Sequence, residues 1–77
     1  MKKELSIKQI YDDFTNKVML NDNEKEVLIL YVKNNSIVAI ANKTLQSTAN
    51  VSRIIKDIKD KYNGYKKLEL AKLKLLQ

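Results

Sequence analysis

Six hydrogen-bonding side chains between residues 48 and 59 recur at a spacing that suits the outer side of a helix. An arginine can donate a forked pair of hydrogen bonds to guanine, and an asparagine can pair with adenine. Lysine and hydroxyl groups can reach base edges or phosphates. We interpret the set as a surface that reads the major groove of DNA, against the alternative of an ordinary solvated helix face. The six residues are Thr48, Asn50, Ser52, Arg53, Lys56 and Lys59.

Apolar residues in the same stretch predict the helix that presents this surface. They recur at intervals of three and four, which gathers them on one side of a helix. Ser47 is well suited to cap its start. We therefore predict a recognition helix over residues 47–62, with the polar set facing outward or to the flanks. The inward residues are Val51, Ile55, Ile58 and Tyr62.

A shorter helix should precede the recognition helix. Ser36 can cap it, and the apolar spacing of Ile37, Ile40 and Ala41 carries it to about Thr44. Only residues 44–46 lie between the two helices, which is too short for anything but a tight crossing turn. The pair predicts a helix-turn-helix unit.

The composition favours one small all-helical domain. The chain of 77 residues has no proline, one glycine and few aromatic residues. It therefore has few of the residues that mark turns between strands or hairpins. Cysteine and histidine are absent, which removes disulfides, thiol chemistry, the usual zinc and iron ligands and the commonest general base. We predict an all-α fold, no cofactor, no metal and no enzymatic activity.

Charge is unevenly placed along the chain, whose formal net charge is +6. Residues 1–32 hold five lysines and six acids, for a net charge of −1, whereas residues 33–77 hold ten basic and three acidic residues, for +7. A polyanion is the natural partner of the second half. The apolar runs are too short for a membrane span or a signal peptide, so we expect a cytoplasmic protein.

Residues 1–19 predict an accessory helix before the main domain, which we place at residues 20–77. Apolar residues follow helical spacing from Leu5 to Val18, and Ser6 could cap the start. The helix would either cover the core of the domain or offer a contact surface to a partner protein or a second subunit.

The main domain should open with a well-capped helix. Asn21 as the cap and Glu24 three residues later form a capping-box pattern. Acidic residues are favourable at the positive end of the helix dipole. The helix should end near Lys33, because Asn34 and Asn35 tolerate the left-handed conformation.

The last part of the chain suggests a further helix that pairs two subunits. Asn63 and Gly64 predict the end of the recognition helix. Beyond them, apolar residues would lie on more sides of the helix than it could bury against the small core of its own domain. A helix that packs both on its own core and on a twin helix explains the excess, while contact with a membrane surface or with another protein are alternatives. The proposed dimer residues are Leu68, Ala71, Leu75 and Leu76.

Residues from Leu20 onward share their joint spacing with a known family. The matching positions are Leu20, Glu24, Glu26, Val27, Leu28, Leu30, Ser36, Ile40, Ala41, Ser47, Val51, Ile55, Ile58, Lys61, Lys67, Glu69 and Leu70. With this spacing the segment up to Leu76 resembles the DNA-binding domain of LuxR-type transcriptional regulators, a class that includes short stand-alone germination regulators of spore-forming bacteria. The resemblance extends over about three-quarters of the chain without a gap.

The resemblance implies roles for particular residues. In that family the recognition helix enters the major groove and the last helix forms a two-fold dimer. By position, Ser52, Arg53 and Lys56 would face the bases. Thr48 and Asn50 would lie near phosphates. Apart from the resemblance, we also expect Lys43 and Lys59 to contact phosphates or lie on the flanks.

Four positions depart from the family pattern, and those at the turn make it unusually polar. Ala39 stands where Glu is usual, Thr44 where Leu is usual, and Gln46 where Ile or Leu is usual. Leu45 could supply the missing core contact, or it could occupy the left-handed position at a cost of about 1 kcal/mol or more, so we expect the turn to be adjusted locally. Ile54 replaces a commonly polar residue, and it either widens the core contact or leaves an apolar spot at the DNA face.

We therefore predict a dimeric, sequence-specific DNA-binding regulator of transcription that reads two half-sites related by a two-fold axis. The first alternative is region four of a sigma factor, which resembles the same pattern and contacts RNA polymerase as well as promoter DNA. Such domains generally end after the recognition helix, so the segment after Gly64 favours the LuxR type. The second alternative is a protein-interaction module or antagonist that has this fold and has lost DNA binding.

Overall fold

Five α-helices make up the structure, and residues 1–76 contain no strand. It is a computed structural model that describes the backbone of residues 1–76 and the side chains of residues 1–72. No helix within that range has an apolar stretch long enough to cross a membrane. The predicted all-α fold class is confirmed. The helices are α1 (Lys2–Leu5), α2 (Lys8–Lys17), α3 (Asp22–Val32), α4 (Ile37–Thr44) and α5 (Thr48–Leu76).

One apolar core draws on all five helices. Leu5 and Phe14 bring α1 and α2 into it, and both side chains are fully buried. All four residues predicted to face inward on the recognition helix are buried, which confirms that side of the helix. Ile54 is 8% exposed, so it widens the core contact. The core residues are Leu5, Phe14, Leu20, Val27, Leu28, Ile40, Ala41, Val51, Ile54, Ile55, Ile58 and Tyr62.

Three predicted helix caps, those of Asn21, Ser36 and Ser47, are confirmed. The side-chain oxygen of Asn21 accepts a hydrogen bond of 2.7 Å from the Glu24 amide, and the Glu24 carboxylate accepts one of 3.1 Å from the Asn21 amide. The hydroxyl oxygens of Ser36 and Ser47 each accept a hydrogen bond of 3.1 Å from the amide three residues on. Asn34 has a φ of 70°, the left-handed conformation expected after α3.

The predicted N-terminal helix is divided into α1 and α2. Ile7 between them is extended, with φ −83° and ψ 118°. Ser6 does not cap α2, because its hydroxyl donates a hydrogen bond of 2.6 Å to the carbonyl of Lys3. The prediction for Ser6 was wrong because a short hydroxyl side chain can bond a nearby carbonyl of the preceding turn instead of capping the following helix.

The turn between α4 and α5 holds a leucine in the left-handed conformation. Leu45 has φ 57° and ψ 43°, and it is 93% exposed. It therefore supplies no core contact and takes the left-handed alternative. Hydrogen bonds from the Leu45 and Gln46 amides to the carbonyl of Ala41 close α4 and hold this geometry.

We expect Leu45→Gly to raise the free energy of unfolding by about 1 kcal/mol, because glycine adopts the left-handed conformation without the Cβ penalty. Urea denaturation would measure the change. Leu45→Ala is the matched control, since it removes the exposed apolar side chain and keeps the Cβ. It should change the free energy by less than about 0.5 kcal/mol, and equal effects of the two substitutions would argue against strain at this position.

The polar side chains of the turn satisfy one another. Gln46 Nε2 donates a hydrogen bond of 2.9 Å to Asn23 Oδ1, and Gln46 Oε1 accepts one of 3.0 Å from Asn23 Nδ2. The same Gln46 oxygen accepts a hydrogen bond from Asn50 Nδ2. Thr44 Oγ1 donates a hydrogen bond of 2.7 Å to the carbonyl of Ile40. Side-chain amides thus join the turn to α3 and α5 where the family resemblance implied apolar contacts.

α5 continues without a break through Asn63 and Gly64, so the predicted end of the recognition helix there was wrong. Phe14 packs edge-on against Tyr62 and Tyr65 on either side of these residues, with ring centroids 5.3 and 5.4 Å apart. A mid-helix glycine costs only about 1 kcal/mol, which buried aromatic contacts on both sides can offset. Tertiary packing therefore carries the helix across a local stop signal.

Polar contacts between the N-terminal helices and α5 extend this packing. The Tyr65 hydroxyl donates a hydrogen bond to Asp13, which raises the pKa of Tyr65 to about 12. Lys17 Nζ lies 2.9 Å from Glu69 Oε1. Lys66 Nζ lies 3.2 Å from Glu4 Oε1. Hydrogen bonds from the N-terminal ammonium and from Lys66 lower the pKa of Glu4 to about 2. Exposed ion pairs each add little stability, so the aromatic packing dominates this contact.

A buried carboxylate ties α3 to α5. Glu24 is 6% exposed, and its two carboxylate oxygens each accept a hydrogen bond of 2.9 Å from Lys61 Nζ. Burial acts to raise the pKa of Glu24, but the hydrogen bonds from Lys61 and the Asn21 amide, with the charge of Lys61, hold it below its ordinary value of 4.5. The ionised form of Glu24 therefore stabilises the folded chain.

We expect Glu24→Gln to lower the free energy of unfolding by about 1–2 kcal/mol at neutral pH. Glutamine keeps an acceptor for the Asn21 amide and removes the charge opposite Lys61. Because the folded-state pKa is lowered, the stabilisation is full above the ordinary pKa of 4.5 and is lost as the pH falls through the folded-state pKa. Urea denaturation at a series of pH values should therefore show the wild type and the variant converging in acid.

Glu26→Gln is the matched control for this pH dependence. Glu26 lies on the same helix and is exposed, so the loss of its charge should change stability little at any pH. A difference between wild type and Glu24→Gln that stayed constant with pH would show that packing, and not the Glu24 charge, sets the effect.

Candidate nucleic-acid interface

The first turns of α5 form the candidate surface, and α3 and α4 hold them in place. Val51, Ile54 and Ile58 bury one side of these turns in the core. An α-helix advances about 100° per residue, so side chains opposite Val51 project into solvent. The core contacts set the rotation of α5 about its own axis. They therefore also determine which side chains face outward.

Arg53 and Lys56 lie at the centre of the outward side. Both are exposed, and in the part of the chain that the structure describes neither makes a hydrogen bond or an ion pair. Ser52 is also exposed and lies about 100° around the helix from Arg53. All three residues predicted to face bases are thus exposed to solvent. Arg53 and Lys56 lie at the centre of the outward side and Ser52 lies toward one flank.

Two of the predicted phosphate contacts share the flank of Ser52. Thr48 and Lys59 are exposed, and the positions 48, 52 and 59 fall within about 40° of one another around the helix. Lys43 at the end of α4 is exposed, and its Nζ donates a hydrogen bond of 2.8 Å to Asn35 Oδ1. An ammonium group has three donors, so Lys43 can hold this bond and also reach a phosphate.

Asn50 differs from the other predicted residues. It is half-buried on the opposite flank of α5, and its side-chain nitrogen Nδ2 donates a hydrogen bond to Gln46 Oε1. One of its donors therefore serves the turn between α4 and α5. The placement of Asn50 near a phosphate stays a prediction.

Three further residues of the outward side were missed from the sequence. Ala49, Asp57 and Asp60 are all exposed there. The two acids follow Arg53 and Lys56 at an interval of four, so the helical spacing could have revealed them. Carboxylates repel phosphates, which confines the centre of a DNA-contacting surface to the turns up to Lys56. Ala49 is small enough to let the first turn approach another molecule closely.

The predicted dimer residues fall on the second half of α5. Leu68 is 66% exposed, and Ala71 is also exposed. They follow Gly64 at intervals of four and three, so the three residues lie on one side of the helix. A groove of about 530 Å³ borders Gly64 and Leu68. The side chains of Leu75 and Leu76 lie outside the described residues.

Comparison with models of protein families, with curated proteins and with solved structures gives no match. The resemblance to LuxR-type domains therefore rests on the residue spacing given above, and it stays a prediction.

Proposed function

We propose that this chain is a sequence-specific DNA-binding regulator of transcription of the LuxR type. The supporting observation is the pair α4 and α5, two capped helices joined by a short turn, with Arg53 and Lys56 exposed on the outward side of the second. A helix that only stabilised the fold would not require two accessible cations at the centre of its outer side. Base edges in a major groove offer the acceptors that these side chains lack in the chain itself.

In the proposed complex, α5 lies in the major groove with its N-terminal turns against the bases. Arg53 and Lys56 donate to base edges, and the Ser52 hydroxyl assists from the flank. Backbone amides at the capped start of α5 face phosphates, because a helix N-terminus favours negative charge. The phosphate contacts position the helix, while the base contacts supply the specificity. The side-chain phosphate contacts come from Thr48, Lys43 and Lys59.

The proposed dimer pairs two copies through Leu68 and Ala71, and Leu75 and Leu76 continue the pairing. Because α5 is one continuous helix, the reading part and the pairing part move as one rod. From position 53 to position 68 this rod spans about 22 Å, at about 1.5 Å per residue. Half-sites in successive major grooves lie about 34 Å apart, so the two rods must diverge from their contact toward the DNA.

Selection of bound sequences from random DNA duplexes, with the full chain as the binder, tests this proposal. We expect an enriched inverted repeat with one strongly preferred spacing, because a continuous α5 allows little adjustment between the two reading parts. Affinity for the enriched site should fall steeply as salt rises, since phosphate neutralisation releases counterions. The Arg53→Ala/Lys56→Ala variant is the control, and it should enrich no motif.

Other outcomes would overturn parts of the proposal. No enriched motif and no duplex binding at low salt would favour a protein-interaction module. A monomer in solution that enriches a single unrepeated motif would favour a domain of the sigma-factor region-four type. An affinity that does not change with salt would argue against phosphate contacts by Lys43 and Lys59.

A further inference from the structure

Two adjoining hollows lie among α1, α2, α3 and the turn after α3. The first, of about 370 Å³, has an apolar floor of Leu5, Tyr11, Ile29 and Val32, with Lys8 and Lys33 at its rim. The second, of about 320 Å³, is bordered by Lys2 and Lys3. Both hollows include Ser6 and Val32, so they form one continuous surface. We name this surface the α2–α3 groove.

Uncovered apolar surface is the first notable property of the α2–α3 groove. Ile29 is 40% exposed although it belongs to a helix that also supplies the core. Tyr11 and Val32 are only partly buried, and Ile7, one helical turn before Tyr11 in the chain, is 51% exposed. A surface that only bound phosphates would need no apolar floor. The groove therefore suits a partner that also brings apolar side chains.

Local positive charge is the second property. Residues 1–33 contain six lysines and six acids and so have no net charge. Four of these six lysines line the α2–α3 groove, and none of the six acids does. The positive charge is thus local to this groove, because residues 1–33 as a whole carry no net charge. The nearest acids along α2 and α3, Asp12 and Glu26, lie outside the lining residues.

We propose that the α2–α3 groove binds an acidic amphipathic segment of a partner protein. Apolar side chains of that segment cover Ile29 and Val32, while its carboxylates pair with Lys8 and Lys33 on one side and with Lys2 or Lys3 on the other. The groove does not include the outward side of α5, so this inference does not depend on DNA binding. A chain bound to DNA through α5 would keep the groove open to such a partner.

A synthetic amphipathic helix of glutamate, leucine and alanine is the probe, titrated into the nitrogen-15-labelled full chain. We expect amide shifts concentrated at residues 5–8 and 29–33. Lys8→Glu/Lys33→Glu should weaken binding about tenfold, because two charge pairs become repulsive. Lys25→Glu/Lys67→Glu makes the same change of charge outside the groove and should weaken binding less than about twofold. Thermal denaturation by circular dichroism establishes that each variant is folded.

Two further arms separate specific docking from general attraction. A peptide of the same composition, reordered so that its leucines do not share one side, should bind at least about tenfold more weakly. Ile29→Gln, which alters the floor and leaves the lysines in place, should weaken the amphipathic probe and not the reordered peptide. If Lys8→Glu/Lys33→Glu failed to fold, Ile29→Gln and the shift map would still decide the question.

The inference is overturned if both peptides bind equally, if the shifts spread over the lysines of α5, or if the probe does not bind at low salt. A random-sequence DNA duplex provides the last arm. If the duplex shifts the groove residues and Lys8→Glu/Lys33→Glu weakens it, the groove is a surface for the DNA backbone and not for an acidic protein segment. These outcomes differ from a failure of the proposed function, which is decided by selection of duplexes through α5.

Discussion

Phe14→Ala should lower the free energy of unfolding by about 3–5 kcal/mol. The Phe14 side chain is fully buried, and it contacts the rings of Tyr62 and Tyr65 edge-on. Its removal leaves a cavity between α2 and α5. The other contacts between these helices keep them from moving together to close it fully. Because a domain of this length has roughly 4–12 kcal/mol of stability in total, the variant should be partly or largely unfolded at ambient temperature. Urea denaturation followed by circular dichroism would measure the loss.

The same substitution should also weaken the middle of α5. Without Phe14, Asn63 and Gly64 keep only their poor intrinsic helix propensity. In mild conditions we therefore expect amide hydrogen exchange to accelerate more at residues 63–65 than at the turns around Val51. Uniform acceleration along the whole helix would show that Phe14 stabilises the fold without bridging the local stop signal.

Gly64→Ala is the matched control for this effect. In the described structure a Cβ added at Gly64 meets no atom within 4 Å beyond its chain neighbours and the adjacent backbone of its own helix, and the glycine has no positive φ. Alanine should therefore stabilise the helix by about 1 kcal/mol. Combined with Phe14→Ala, it should slow exchange at residues 63–65 without refilling the cavity.

Arg53→Ala should cost about 1–3 kcal/mol of binding free energy at one base-pair position of the selected DNA site. The loss should appear as relaxed specificity at that position, because an alanine no longer distinguishes guanine from the other bases. The Arg53 side chain is exposed and has no partner among the described residues, so folding should be unaffected. Binding measurements on the selected site and its single-base variants would give the position and the size of the effect.

Lys59→Ala is the comparison that separates base reading from phosphate contact. Lys59 is exposed on the flank of α5, so its loss should weaken all sequences about equally. The slope of log affinity against log salt should fall by about one. If Arg53→Ala behaved in the same uniform way, Arg53 would be a phosphate contact and the base-reading role would pass to Ser52 or Lys56.

The helices and their starts could be predicted from the sequence because local forces control them. The intervals of three and four among Val51, Ile55, Ile58 and Tyr62 identify the buried side of α5, and the structure buries all four. Asn21 and Ser36 cap their helices as predicted, because a cap needs only a side-chain oxygen near amides that follow closely in the chain. The same periodicity makes the outward position of Arg53 predictable without any long-range contact.

The α2–α3 groove could not be predicted in this way, although each of its residues is visible in the sequence. It forms only because Lys8 on α2 and Lys33 after α3, far apart along the chain, border the same apolar floor. The effect of Asp57 and Asp60 was missed for a different reason. The side of α5 on which they lie was predictable. Their effect on binding depends on the charge of the partner that contacts this side.

The chain sequence alone therefore gives an all-α protein with capped helices and a defined outward side on α5, since hydrogen bonds and periodicity within single segments suffice for that. Two features required the tertiary structure. Leu45 takes up the left-handed conformation because its amide and that of Gln46 donate to the carbonyl of Ala41, while the buried residues of α4 and α5 on either side set the path of the chain. α5 passes through Asn63 and Gly64 because Phe14, distant in sequence, packs on both sides of them, and a buried aromatic contact outweighs a weak local preference.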